Sequence, residues 1–168
     1  IQDITDQKQA QEALRKSEFQ FRRLCNQVAV GVAISDAKTG KFVKTNRRFE
    51  EIFGYSQEEL VHLDYQSMTY KEDLSISKNY MEKLLKGEIE KFSIEKRYIS
   101  KKGDVFWGEI TVSKMWETGE ELTNFIAIVK DISERKRIER KIQDQIQFLS
   151  ILIDTIPSPI FFKDRQGR

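Results

Sequence analysis

The chain has 168 residues, of which 33% are charged, and its formal net charge is only +2. This length suits one domain of about 100 to 130 residues with flanking segments. Mixed charges near neutrality argue against dedicated nucleic-acid binding, which usually shows a clustered basic face. A single cysteine, Cys25, excludes an internal disulfide, and no run approaches the roughly 20 apolar residues that cross a bilayer. These features favour a cytoplasmic setting and leave room for a membrane anchor elsewhere in the parent protein.

Two segments of similar sequence lie at the beginning and near the end of the chain. Residues 3–8 read DITDQK, and residues 131–136, which follow 128 positions later, read DISERK. At the same spacing Leu14 matches Ile142. A self-match at one fixed period is the signature of a repeated structural unit. We therefore expect three parts of such units: the end of a preceding one at residues 1–5, a complete one at residues 28–132, and the start of a following one at residues 156–168.

The segments between these units have helical periodicity. Apolar residues recur every three, four or seven positions over residues 6–27 and again over residues 133–155. Sustained spacing by sevens on a charged background indicates a coiled-coil seam and hence a homodimer. The alternative is an amphipathic helix that packs on its own domain. The predicted seam comprises Leu14, Phe21, Val28, Ile142, Leu149 and Ile156.

The complete unit begins with a predicted hairpin. Residues 30–35 and 42–45 have extended, largely apolar patterns, and residues 36–40 (DAKTG) supply turn chemistry between them. Residues 46–53 then have helical spacing and end at Gly54, which suits a helix stop.

Further helices are predicted in the middle of the unit. Residues 56–59 (SQEE) and 69–72 (TYKE) both have the form of a capping box. A longer helix is expected to continue to about Lys86, with Gly87 as its stop. Its predicted buried residues are Leu74, Met81, Leu84 and Leu85.

Three strands complete the unit, at residues 92–100, 105–116 and 122–132, with glycine-containing turns at 101–104 and 117–120. In the first of them Phe92, Ile94 and Tyr98 alternate with Ser93, Glu95 and Arg97, as one buried and one solvated sheet face require. The predicted fold is α+β. It consists of a five-stranded antiparallel sheet with helices on one face, flanked by N- and C-terminal linker helices.

The fifth strand leads directly into the second linker helix. At this junction Asp131 is expected to anchor the end of the strand, Ile132 to pack it, and Ser133 to start the helix. A conformational change in the strand would therefore be passed to the helix.

These motifs together resemble the PAS domain, a sensory module of bacterial and archaeal signalling proteins. The resemblance covers residues 19–136 and implies a sheet of strand order 2-1-5-4-3 whose helices enclose a small cavity. It also implies a string of such domains that feeds a histidine kinase or a diguanylate cyclase in the same chain. The motifs that carry it are Asp36 with Gly40, Asn46 with Phe49, Gly54-Tyr55 before Glu59-Leu60, Glu72-Asp73, Lys102-Gly103-Asp104 with Trp107, and residues 131–136.

Departures from the family's cofactor-binding members narrow the choice of ligand. Haem-binding members use a histidine on the long helix, where this chain has Ser75, Ile76 and Ser77. Members that form a covalent flavin adduct need a cysteine in the short central helices, whereas Cys25 lies on the preceding helix. Haem and covalent flavin are therefore disfavoured, whereas a small ligand that binds non-covalently is compatible with the sequence. With His62 as the sole histidine, a metal site is not expected.

A sensory cavity would need a few polar groups among apolar walls. The same methionine and aromatic residues could instead fill a closed core. No nucleotide-binding glycine loop or catalytic dyad is apparent, which predicts that this chain is not an enzyme. The resemblance implies a regulatory module that detects a small ligand or relays a conformational signal through the linker helices. The alternative is a ligand-free dimerisation and relay unit. The candidate cavity residues are Tyr55, Met68, Met81, Glu109, Thr111, Ser113, Asn124 and Ile126.

Overall fold

The computed structural model describes residues 2–27, 29–116 and 122–156. The chain divides into two compact units, Ile1–Ile132 and Ser133–Arg168. The first contains the whole sheet and the first four helices, and the second contains the last helix.

The first unit is built on a five-stranded sheet in the order β2-β1-β5-β4-β3. Every neighbouring pair of strands is antiparallel. The predicted α+β fold and its strand order are therefore confirmed. The predicted turn at residues 117–120 lies outside the described residues. The strands are β1 (Gly31–Asp36), β2 (Phe42–Thr45), β3 (Lys91–Ile99), β4 (Val105–Trp116) and β5 (Leu122–Asp131).

The helices lie in the predicted parts of the sequence. Helix α1 begins at Gln2, a few residues before its predicted start, and a single 3-10 turn, Lys71–Asp73, precedes α4. That residues 1–5 end a preceding unit stays a prediction. The helices are α1 (Gln2–Gln27), α2 (Arg47–Phe53), α3 (Gln57–Leu60), α4 (Leu74–Leu85) and α5 (Ser133–Thr155).

Local sequence explains how α2 and α3 begin and end. Asn46 caps α2: its Oδ1 accepts hydrogen bonds from the backbone N–H groups of Phe49 at 2.9 Å and Val32 at 2.8 Å. Gly54 ends α2 with φ of 78°, a left-handed conformation that favours glycine. Ser56 starts α3 with the predicted capping box. The Asn46 side chain thus fixes the helix to the first strand.

Two details of the predicted helices are wrong. Thr69 does not cap the 3-10 turn, because its hydroxyl makes other contacts. In addition, the neighbouring backbone is hydrogen-bonded to β3, where Ile99 N donates to Met68 O at 2.9 Å. Leu85 is 52% exposed, although it was predicted to be buried. It follows the buried Leu84 on a short helix, and neighbouring residues on a helix point in different directions.

Aromatic side chains fill the space between the helices and the inner face of the sheet. Phe53 of α2 is the centre of this cluster, with its ring centroid 5.2 Å from that of Tyr98 on β3 and 5.3 Å from that of Phe106 on β4. Phe49 packs on Phe53 from the preceding turn of the helix, with centroids 4.5 Å apart. Phe49, Phe53 and Tyr98 of this cluster line the cavity described next.

Candidate functional site

A small cavity lies between the inner sheet face and the helices. Its volume is about 40 Å³. A buried water needs roughly 10–15 Å³ on this scale, so the space would hold a few water molecules or a ligand of a few heavy atoms. The wall is mostly apolar, and its residues are Ser35, Phe42, Phe49, Phe53, Tyr65, Met68, Ser77, Met81, Phe92, Lys96, Tyr98, Ile110, Val112, Ala127 and Val129.

Among the described residues that line the cavity, Lys96 is the only cation; it points inward from β3 and is 4% exposed. Its Nζ donates hydrogen bonds to Thr69 Oγ1 and to Ser77 Oγ, each at 2.9 Å. These two hydroxyls in turn donate to backbone carbonyls, at 2.6 Å to Tyr65 O and at 3.1 Å to Asp73 O. The hydroxyls are therefore held in the orientation in which they accept from lysine.

Burial changes the acidity of the Lys96 ammonium. Desolvation lowers the pKa of Lys96 from 10.5 to about 8, and the negative charge of Asp73 opposes part of this shift. The group is therefore mostly protonated at neutral pH. A charged lysine in an apolar wall is unusual and marks a position worth testing for function.

Tyr98 contributes a second polar group to the cavity wall. Its ring centroid lies 4.8 Å from Lys96 Nζ, within range of a cation–π interaction. The residue is 3% exposed, and its hydroxyl has no hydrogen-bond partner among the described residues. Burial raises the pKa of the Tyr98 phenol well above 10.0, so the group stays protonated. Buried hydroxyls normally have a partner, which makes this one an open position for a ligand or water.

An ion pair beside the cavity fixes the 3-10 turn to β3. Asp73 accepts hydrogen bonds from the Arg97 backbone N–H at 2.7 Å and from Arg97 Nη2 at 2.7 Å. These bonds hold the pKa of Asp73 below its ordinary value of 3.8. Both carboxylate oxygens of Asp73 are thus occupied by Arg97, and Lys96 has no carboxylate in direct contact among the described residues.

The structure brings two of the eight predicted cavity residues together, Met68 and Met81. Tyr55 packs on the edge of the core and does not line the cavity. The other five lie on the opposite sheet face, so their predicted place in the cavity wall is wrong. They are Glu109, Thr111, Ser113, Asn124 and Ile126.

Both faces of β4 and β5 carry apolar residues, which explains the error. Ile110 and Val112 face inward, but Val105 and Trp107 occupy the other alternation of β4. Sequence alternation therefore did not distinguish the two faces. The pairing register of β3 and β4 distinguishes them. Thr111 lies opposite Ser93, and their hydroxyls are hydrogen-bonded at 3.1 Å on the exposed face.

Sequence reasoning also missed Lys96, although a signal was present. Lys96 occupies the same alternation as Phe92, Ile94 and Tyr98, the face predicted to be buried. A lysine in an apolar row is the exception that points to a special role.

The predicted junction lies at the end of β5. Asp131 is the last residue of β5, and Ser133 is the first residue of α5. Ile132 is 3% exposed, and its N–H donates to Trp107 O at 2.9 Å. The chain is thus held firmly at Ile132, immediately before the helix begins. That these residues transmit a signal stays a prediction.

The predicted seam residues of α5 are exposed, as are those of α1 that the structure describes. Leu14 on α1 is 62% exposed, and Ile142 and Leu149 on α5 are 51% and 56% exposed. Ile156 directly follows α5 and is also exposed. The side chains of Phe21 and Val28 lie outside the described residues. That these residues form a dimer seam stays a prediction.

Comparison with known proteins agrees with the fold. A family model described as PAS domain matches residues 29–134. The chain therefore belongs to the PAS domain family.

Two curated relatives are large signalling proteins. The chain is 37% identical over 138 residues to a probable diguanylate cyclase, DgcE, of Escherichia coli (strain K12), covering 82% of this chain and 12% of that protein. It is 26% identical over 139 residues to the sensor histidine kinase TmoS of Ectopseudomonas mendocina, covering 83% of this chain and 14% of that protein. The chain thus corresponds to a small part of each relative.

Solved structures give the same fold. A PAS domain from Colwellia psychrerythraea has a TM-score of 0.62 at 18% identity, covering 68% of this chain and 96% of that one. A sensory box histidine kinase/response regulator from Burkholderia thailandensis E264 has a TM-score of 0.60 at 21% identity, covering 77% and 97%. Over the described residues, no helix has the length and apolar character needed to span a membrane, and no cluster of side chains suits a metal ion.

Proposed function

We propose that this chain is a regulatory sensory module in which a small ligand in the cavity changes the conformation of β5, and the linker helix passes the change to an output domain. The observation that carries the proposal is the cavity with its buried Lys96 ammonium and unpaired Tyr98 hydroxyl. A closed core would gain stability from apolar groups at both positions, because burying unpaired polar groups costs free energy.

Strand β5 is the connection between cavity and output in this proposal. Ala127 and Val129 line the cavity, and the same strand continues through the buried Ile132 into the helix that starts at Ser133. A ligand can shift this element only if it binds one conformation more tightly than the other. The relatives support an output domain of the histidine kinase or diguanylate cyclase type elsewhere in the parent protein. A cytoplasmic location of the module is part of this proposal.

The junction provides the first test. In the full-length parent protein, Asp131→Ala should uncouple output from stimulus while the domain stays folded. Lys130→Ala, at the neighbouring exposed position of β5, is the matched control. Output would be followed as autophosphorylation or as synthesis of the cyclic dinucleotide, according to the output domain, and folding by circular dichroism. A normal response of Asp131→Ala to the stimulus would contradict the proposed route.

A second candidate function is a ligand-free relay. The observation in its favour is the cavity volume of about 40 Å³, since ligand pockets usually measure about 300–1,000 Å³. Ala127→Leu, which fills the cavity, distinguishes the two functions. The sensor should lose its response to the stimulus, whereas a relay should keep normal output.

We propose that both functions use a parallel dimer of the linker helices. The dimer would form along the exposed apolar residues of α5, which include Ile142 and Leu149. Exposed apolar stripes of this kind usually mark a protein interface. Leu149→Asp should convert a dimer to a monomer in analytical ultracentrifugation, because it places a charge in the seam. Ile151→Asp, which is outside the predicted seam and whose Ile is 55% exposed, is the matched control. A wild-type chain that sediments as a monomer would exclude the seam.

A further inference from the structure

We infer that the cavity selects a small monocarboxylate of the size of acetate, whose carboxylate accepts hydrogen bonds from Lys96 Nζ and the Tyr98 hydroxyl. This inference rests on the proposed function, because it assumes that the cavity takes a ligand. It names the chemical class of that ligand from the groups that the wall presents.

The charge of the ligand follows from the hydrogen bonds of Lys96. An ammonium has three donors, and two of them are used by the neutral hydroxyls of Thr69 and Ser77. The nearest acid, Asp73, already pairs with Arg97. A buried cation without a carboxylate in contact is stabilised by any anion that fits beside it, and charge-assisted hydrogen bonds are about twice as strong as neutral ones. The single positive charge of Lys96 is therefore matched by a ligand with a single negative charge.

The Tyr98 hydroxyl supports the same class of ligand. Tyr98 lines the cavity, and its hydroxyl is buried and has no partner among the described residues. Because the phenol stays protonated, it is available as a donor. Two donors, one charged and one neutral, suit the two oxygens of a carboxylate.

The rest of the cavity limits the size and the polarity of the ligand. A volume of about 40 Å³ holds only a few heavy atoms. The rest of the wall is mostly apolar and includes Met68, Met81, Ile110 and Val129, which suit a methyl or ethyl group. Dicarboxylates and large aromatic acids are excluded from a cavity of this volume.

The groups around Lys96 allow a pH test. Tyr65 and Tyr98 have raised pKa values because both are desolvated, and Asp73 has a lowered one because of Arg97. Arg97 remains charged throughout. Lys96, with a pKa of about 8, is therefore the group in this cluster that titrates between neutral pH and pH 9. Affinity for acetate should fall as the pH rises through about 8.

The experiment is isothermal titration of the full chain with sodium acetate, formate and propionate. Acetamide, a neutral molecule of the same shape as acetate, is the reference ligand. Sodium chloride at equal ionic strength controls for the effect of salt. Wild type and Lys78→Met, which removes an exposed lysine of α4, should bind acetate equally. Lys96→Met should bind it roughly tenfold more weakly or worse. Tyr98→Phe should also bind acetate more weakly. Its free energy of unfolding should equal or exceed that of wild type.

Three results would overturn the inference, and they differ in what they mean for the proposed function. Acetamide binding as tightly as acetate, or Lys96→Met keeping its affinity, would exclude recognition by charge while leaving the cavity as a ligand site. Absence of binding by all three carboxylates would exclude the ligand class. In each case the Ala127→Leu test of output decides independently whether the module is a sensor.

Discussion

Replacing the buried Lys96 with methionine should stabilise the domain at neutral pH. The lysine is 4% exposed, and its pKa falls from 10.5 to about 8 on folding. A shift of this size corresponds to a free-energy cost of about 3 kcal/mol for burying the charged form of the lysine. Methionine has a similar length and no charge, and the Thr69 and Ser77 hydroxyls keep the backbone acceptors to which they donate. After subtraction of the lost cation–π contact with Tyr98, the expected net gain is about 1 to 2 kcal/mol.

The pH dependence provides the sharper part of this prediction. The pKa of Lys96 is lower in the folded state than in the unfolded state, so the unfolded chain binds more protons between pH 8 and pH 10.5. Wild-type stability therefore rises over this window as the folded lysine loses its proton. The advantage of Lys96→Met should be largest below pH 8 and should shrink towards pH 10.5.

Urea unfolding at several pH values between 7 and 10, in a buffer without carboxylates, measures this difference. Lys78→Met is the control, because the exposed Lys78 carries no burial cost. Its effect on the free energy of unfolding should be small. If Lys96→Met were less stable than wild type at pH 7, or if its effect did not vary with pH relative to the control, the burial argument would be refuted.

Three further substitutions test the contacts that hold the site in place. Asp73→Asn should lower the free energy of unfolding by about 2 kcal/mol at pH 7, because it loses the charge that pairs with Arg97. The pKa of Asp73 is lowered from 3.8 in the folded state, so this difference should begin to shrink as the pH falls below about 3.8 and should be lost at still lower pH, as the folded wild-type carboxylate is protonated. Gly108→Ala should destabilise by about 1–3 kcal/mol, because its Cβ would lie 2.6 Å from a Tyr98 ring carbon. Asn46→Ala should destabilise by about 2 kcal/mol, since it loses the cap of α2 and the bonds to β1.

Chemical denaturation at controlled pH checks all three. An Asp73→Asn difference that did not shrink as the pH was lowered below about 3.8 would contradict the ion-pair assignment. Unchanged stability of Gly108→Ala would mean that the Tyr98 ring can move aside. For Asn46, the matched comparison is Ser56→Ala at the exposed cap of α3, which should cost about 1 kcal/mol; equal losses at the two caps would contradict the role of Asn46 in joining helix and strand.

The cavity groups are kept at a cost in stability. Lys96 and the unpaired Tyr98 hydroxyl both oppose folding relative to apolar residues of the same size. Natural proteins usually retain such groups where function requires them. The combination of increased stability and lost ligand response in Lys96→Met would be the expected signature of a functional residue.

Local chemistry determined most of the secondary structure from the sequence alone. The cap at Asn46, the capping box at Ser56 and the left-handed glycine Gly54 depend on a few neighbouring residues, so their positions could be predicted. The same holds for the alternation of β3 around Phe92 and Tyr98, which identified its buried face.

The tertiary structure alone decided the composition of the cavity. On β4 and β5 both alternations are partly apolar, so the inward face is set by pairing with β1 and β3 and by the helices that cover it. Thr69 resembles a helix cap in sequence, but backbone pairing with β3 turns it towards Lys96. The position of Lys96 is the clearest case, because its surroundings are built from residues 19 and 27 positions away in the chain. No local pattern contains that information.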